Sequence, residues 1–181
     1  MAAGSTYTPI ATTTLTSASA SVTFSSISGS YTDLVLVCAS KSASGATLDD
    51  VRIYLRFNSD SGSNYSTTYM TGDGTTAASF RDSNRAQIDN AASIPTNGSS
   101  ELALFTYSIN SYSSTSVFKS VIQRGGNNSN ATTILRSTGA AVSTWRNTSA
   151  ITSILILGGA GNSSVGFASG STFTLYGILS A

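Results

Sequence analysis

The chain has 181 residues, of which 40% are apolar and only 9% are charged, and its formal net charge is +1. This length can bury the core of a single domain, and the dense apolar runs argue against intrinsic disorder, which requires low hydrophobicity. The near-neutral charge disfavours nucleic acid and anionic membranes as partners, because both attract basic patches. Residues 1–6 have neither a basic start nor an apolar run, so we expect a flexible N-terminus without a signal peptide.

The first part of the chain predicts short strands separated by turns. Residues 7–15 contain Pro9 and a run of threonines, which suits an edge strand because proline cannot donate to an interior ladder. Residues 21–25 and 33–38 are the next predicted strands, and both faces of the second are expected to be covered. Alternation in residues 51–57 then predicts one inward and one outward set of side chains. The inward set is Val51, Ile53, Leu55 and Phe57, and the outward set is Arg52, Tyr54 and Arg56.

The alternation of apolar and polar residues becomes weaker after a short predicted strand at residues 66–71. Residues 75–100 contain scattered apolar positions and a polar stretch, which predicts one long loop excursion with at most a brief strand around residues 86–89. Loops of this length in a compact domain are usually functional.

The second half returns to strand-sized segments with Gly-rich connections. The last strand alternates strongly, with Phe173 and Leu175 on one face, and we expect it to pair with strands far earlier in the chain and so close the fold. No segment sustains a helical period. Residues 7–181 are therefore predicted to form one all-β domain, an antiparallel β-sandwich of jelly-roll type. The predicted strands of this half are residues 101–109, 116–124, 132–137, 141–146, 151–157 and 171–178.

Histidine is absent from the chain, which removes the Ser-His-Asp triad, the Cys-His dyad and His-ligated zinc. A carboxylate pair for glycoside hydrolysis stays open as an enzyme alternative, although most acidic residues lie in turn-like segments. Residues 58–64 loosely resemble the start of a calcium loop but lack the number of acidic residues and the distal bidentate glutamate that the motif requires, so a hydrogen-bonded turn is favoured. Cys38 lies in an apolar run and is expected to be buried and inert. We therefore predict no catalytic, cofactor or metal site.

Aromatic residues in or beside the predicted loops are the remaining lead. Rigid amphipathic rings such as Tyr107 serve carbohydrate stacking and protein interfaces when exposed, and otherwise occupy core or rim positions at strand ends. Both alternatives stay open for each ring. The candidate interface residues are Tyr65, Tyr69, Arg81, Arg85, Tyr112 and Trp145.

Four segments resemble a β-sandwich module of tailed-bacteriophage virion proteins that is common among cyanophages. They are residues 7–10 with the threonine run that follows, 31–37, 55–66 and 170–178. The resemblance runs along the whole chain and implies a structural virion protein that is not an enzyme. In that family the module occurs as a head decoration (cement) protein and as the distal domain of fibres.

A fibre tip normally follows an attachment domain and a stalk, whereas this module starts at residue 7 and ends with the chain. We therefore expect a decoration protein on the capsid surface, made in the host cytoplasm, that binds the major capsid protein as a homotrimer. The alternative is a tail or fibre protein with a receptor (glycan)-binding role. Neither nucleic acid nor a membrane is expected as a partner.

Overall fold

The computed structural model describes residues 6–43, 51–89, 91–95, 100–127, 137–160 and 163–179. These residues form thirteen β-strands and no helix, which confirms the predicted all-β class. The strands are β1 Tyr7–Thr14, β2 Ser21–Phe24, β3 Asp33–Ser40, β4 Arg52–Phe57, β5 Tyr65–Gly72, β6 Ala77–Arg85, β7 Ile88–Asp89, β8 Ala103–Asn110, β9 Lys119–Gly126, β10 Thr138–Trp145, β11 Ile154–Ala160, β12 Ser163–Ser164 and β13 Thr172–Ile178.

The strands pair antiparallel in two sheets. The large sheet has the order β1-β13-β3-β8-β9-β10-β5-β6, and the small sheet has the order β12-β11-β4-β7 with β2 paired to β11. The paths β1-β13-β3-β8 and β2-β11-β4-β7 give the interleaved order of a jelly roll, because the chain changes sheet at each step from β1 to β4. Strands β9, β10, β5 and β6 extend the large sheet beyond β8. The molecule is therefore a jelly-roll sandwich with a four-stranded extension of one sheet.

The C-terminal strand β13 closes the fold as predicted. It lies between β1 and β3, so that Phe173 is opposite both Thr13 and Cys38. Phe173 and Leu175 are fully buried. On the other flank, β1 is an edge strand whose register shifts just after Pro9, which agrees with the role expected of that proline.

The core forms between the two sheets. The four inward side chains predicted for residues 51–57 are fully buried, and so is Cys38, which lies opposite Phe105. Tyr54 lies on the outer face of the small sheet, yet it is also buried, because β4 is an interior strand with Leu157 and Asp89 opposite that tyrosine.

The prediction of one long loop over residues 75–100 is corrected by the structure. Strand β6 occupies nine of these residues, and the brief strand expected around residues 86–89 corresponds to β7. Most side chains of β6 are exposed on both faces of the sheet, so the strand has no apolar alternation, and its backbone pairing with β5 supplies its order instead. The strand predicted at residues 132–137 falls almost wholly outside the described residues.

Candidate interaction surface

The outer face of the large sheet, from β8 into the extension, carries large apolar side chains that no described residue covers. We call Met70, Leu104, Ile122 and Val142 the apolar face; they are exposed by 62%, 57%, 51% and 55%. Ile122 lies directly opposite Val142 in the β9–β10 pair. The solvated face of an antiparallel sheet is normally polar, so four large apolar side chains exposed on one face mark a candidate interaction site.

The same strands place polar side chains inside. Lys119 and Gln123 of β9 point inward and are buried, while Ile122 between them points outward. Both side chains bond to distant segments: Lys119 Nζ donates to the carbonyl oxygen of Thr148 at 3.0 Å, and Gln123 Nε2 donates to that of Asp89 at 2.6 Å. The buried Oε1 of Gln123 has no partner among the described residues. Residue type alone therefore gives the wrong face for these strands, and sequence reasoning missed the apolar face for that reason.

A concavity of about 1030 Å³ lies beside the apolar face. Met70 and Leu104 line it on two sides, and Ala140, which is opposite Met70 in the sheet, forms part of its floor. Arg124 is the only charged residue that lines it in the described part of the chain. The concavity could therefore receive an apolar side chain of a partner, and the guanidinium group of Arg124 could donate a hydrogen bond to that partner.

The aromatic members of the predicted interface set are not on the surface. Tyr65, Tyr69, Tyr112 and Trp145 are all buried, so their core alternative is correct. Tyr65 and Trp145 stack with ring centroids 6.3 Å apart, and the Tyr112 hydroxyl donates to the carbonyl oxygen of Ser28. The polar groups of Tyr65, Tyr112 and Trp145 have hydrogen-bond partners within the fold, so a position beside a loop did not mean exposure for these rings.

The two arginines of that set, Arg81 and Arg85, are exposed on β6. Strand β6 also carries Phe80, which is 43% exposed and stacks on Tyr69 at a centroid distance of 5.3 Å. We call residues 77–82 of β6 the overhang. It is a second accessible surface, at the edge of the large sheet.

The loop at residues 58–64 is the hydrogen-bonded turn that we favoured. Asp60 accepts bonds from the Gly62 backbone N–H, the Asn64 side chain and the Trp145 indole, at 2.8, 2.9 and 2.7 Å. Burial raises the pKa of Asp60, but these bonds, with Trp145 first, lower it by more, so the pKa lies below its usual range. The carboxylate is therefore engaged in holding the turn.

Other kinds of site have little support in the described ranges. Those residues contain no group of three or more His, Cys, Asp or Glu side chains that could hold a metal ion. They also contain no helix long and apolar enough to cross a membrane.

Comparison with protein-family models, curated proteins and solved structures gives no match for the chain. The fold and surface thus define an antiparallel β-sandwich with an uncovered apolar face.

Proposed function

We propose that the chain is a structural virion protein of a tailed phage, a capsid decoration (cement) protein that binds and stabilises the assembled head shell. Two lines of support come from the sequence, namely the resemblance of four segments to such modules and the absence of histidine. The structural observation that carries the proposal is the apolar face, with four large side chains more than half exposed.

The apolar face is the surface that we assign to the major capsid protein. Covering apolar area contributes about 25 cal/mol per Å², before the cost of association is subtracted. A chain that is 9% charged has few ionic groups to desolvate when it packs against a shell. Because the chain would bind the finished shell and not the unfolded capsid subunit, it would stabilise the shell by mass action.

The overhang is the surface that we assign to a second and third copy of the chain. Phe80 is exposed there, and an edge strand exposed on both faces is a place where another subunit can pack. The chain would thus act as a homotrimer on the capsid surface and catalyse no reaction.

Cosedimentation of the chain with phage heads that lack it tests this proposal. We expect the chain to pellet with the heads and Ile122→Lys to reduce the bound amount at least about tenfold, because a lysine at a covered site is costly. Thr23→Lys is the matched control, since Thr23 is exposed on a strand of the small sheet. If Ile122→Lys binds as well as Thr23→Lys, or if the chain does not pellet, the proposal is wrong.

The second candidate function is a tail or fibre protein with a receptor (glycan)-binding role. The observation that favours it is a polar groove on the outer face of the small sheet, opposite the apolar face. Binding of the chain to host cells instead of heads would support this candidate.

A further inference from the structure

A polar groove of about 430 Å³ crosses the outer face of the small sheet. We define the polar groove by Tyr54 and Arg56 of β4 and by Asn84, Arg85 and Gln87, which carry the chain from β6 to β7. The backbone of two consecutive glycines in β11 lines the opposite side. This volume lies within the range of small-molecule sites, and the lining is rich in groups that form hydrogen bonds.

The polar groove is positively charged in a chain that is otherwise close to neutral. Arg56 and Arg85 line it, and no acidic residue does so in the described part of the chain. A third guanidinium, that of Arg146, bonds to two residues of the polar groove. Arg146 Nη2 donates to the carbonyl oxygen of Ser63 at 2.6 Å and to Oδ1 of Asn84 at 2.9 Å. Ser63 and Asn84 are themselves part of the lining.

The donors in the polar groove are only partly used within the protein. Arg56 Nη2 donates to Oε1 of Gln87 at 2.9 Å, while its buried Nε has no partner among the described residues. The guanidinium of Arg85, which is exposed, has no hydrogen bond or ion pair with any described residue. Since Arg146 occupies the amide oxygen of Asn84, that side chain retains its amide hydrogens for another acceptor.

The backbone at Asn84 is held in an uncommon conformation. Its φ angle is +55°, in the left-handed region that non-glycine residues adopt only at a cost. This bend comes at the end of β6, immediately before Arg85. The hydrogen bond from Arg146 fixes the Asn84 side chain in that position, so the polar groove is a preformed arrangement of donors.

We propose that the polar groove binds a carboxylate-bearing sugar, such as a uronic acid residue of a polysaccharide. Planar guanidinium groups match a carboxylate with two parallel hydrogen bonds, and Arg85 is free to make them. The neutral amide and hydroxyl groups of Asn84, Gln87 and Ser164 match sugar hydroxyls. The inference deepens the receptor-binding candidate. Its failure would leave the shell-binding proposal untouched, because the apolar face lies on the other sheet.

Titration of the full chain with glucuronic acid, followed by two-dimensional NMR, tests the inference. We expect saturable shifts of backbone signals of residues 84–87 and 158–159 with a dissociation constant of about 1–10 mM, as suits one sugar held by few contacts. Glucose should bind at least about tenfold more weakly, because it has no carboxylate to pair with the guanidinium groups. Acetate should also bind at least about tenfold more weakly, because it has the carboxylate but no hydroxyl groups for the amide side chains.

Two variants on the same strand complete the test. Arg85→Gln should weaken glucuronic acid binding by about fivefold or more, and Arg81→Gln, which is exposed on β6 but outside the polar groove, should change it less than about twofold. The inference is overturned if glucuronic acid does not bind, or if glucose or acetate binds equally well. Equal losses in the two variants would also overturn it.

Discussion

The indole Nε1 of Trp145 donates a hydrogen bond of 2.7 Å to Oδ2 of Asp60, which lies 85 residues earlier in the chain. The bond joins the end of β10 to the turn between β4 and β5. It is the first of three hydrogen bonds that lower the pKa of Asp60 against the effect of burial. The turn therefore carries a pH-dependent part of the stability.

Removal of the indole donor should make this part of the stability less sensitive to acid. Because the folded-state pKa of Asp60 is depressed, its contribution is present above the unfolded value of about 3.9 and is lost as the pH falls through the folded value. In Trp145→Phe the pKa of Asp60 should move up toward its usual value. Loss of this bond should lower the free energy of unfolding at pH 7 by about 1 kcal/mol, a modest amount because the carboxylate is partly exposed. Carboxyl NMR titration of Asp60 in both proteins measures the shift. An unchanged Asp60 pKa in the variant would contradict this account.

Gly177 lies beneath the ring of Tyr31 and has no room for a side chain. A Cβ atom at that position would lie 2.3 Å from two ring carbons of Tyr31, well below any real contact. We expect Gly177→Ala to destabilise the protein by about 1–3 kcal/mol in urea unfolding, through displacement of the ring. Gly72→Ala is the control, because its Cβ would meet nothing closer than 3.6 Å, and equal effects of the two variants would show that the Tyr31 contact is unimportant.

Cys38 should not react with thiol reagents in the folded protein. It is fully buried, and burial raises the pKa of its thiol, so the reactive thiolate is suppressed. We expect the rate of labelling by dithionitrobenzoate to be limited by unfolding and to become rapid in concentrated guanidinium chloride. Rapid stoichiometric labelling in buffer alone would be inconsistent with the position of Cys38 between Phe105 and Phe173.

Self-association should depend on Phe80 of the overhang. Light scattering of the unmodified chain should give about three times the 18.5 kDa of one chain. We expect Phe80→Lys to shift the mass to that of one chain, because lysine cannot replace the apolar contact. Ser83→Lys, at another exposed position of β6, should leave the mass unchanged. A monomeric unmodified chain, or equal effects of both variants, would refute the overhang as the contact.

Much of the fold follows from local patterns in the sequence. The sequences of strands β4 and β13 alternate clearly because one face of each strand packs into the core. Glycine-rich and polar segments between the strands mark most of the connections. Strand β6 could not be found in this way, since neither of its faces is covered and its order comes from pairing with β5.

The candidate surfaces were harder to predict because they depend on distant partners. Lys119 and Gln123 are polar yet buried, and their acceptors come from Thr148 and Asp89 in other parts of the chain. This places Ile122 on the surface, against its residue type. The buried aromatic residues were mispredicted in the opposite direction. Tyr112 lies beside a loop and was expected to be a candidate for exposure, but it is buried and its hydroxyl group donates to the carbonyl oxygen of the distant Ser28.

Thermal release of the genome tests most directly the central claim, that the chain stabilises the assembled shell. Heads that lack the chain would be heated with a genome-binding dye, alone and after addition of the purified protein. We expect the added chain to raise the release temperature as its occupancy of the heads rises, and Ile122→Lys not to raise it. An unchanged release temperature at full occupancy would contradict it.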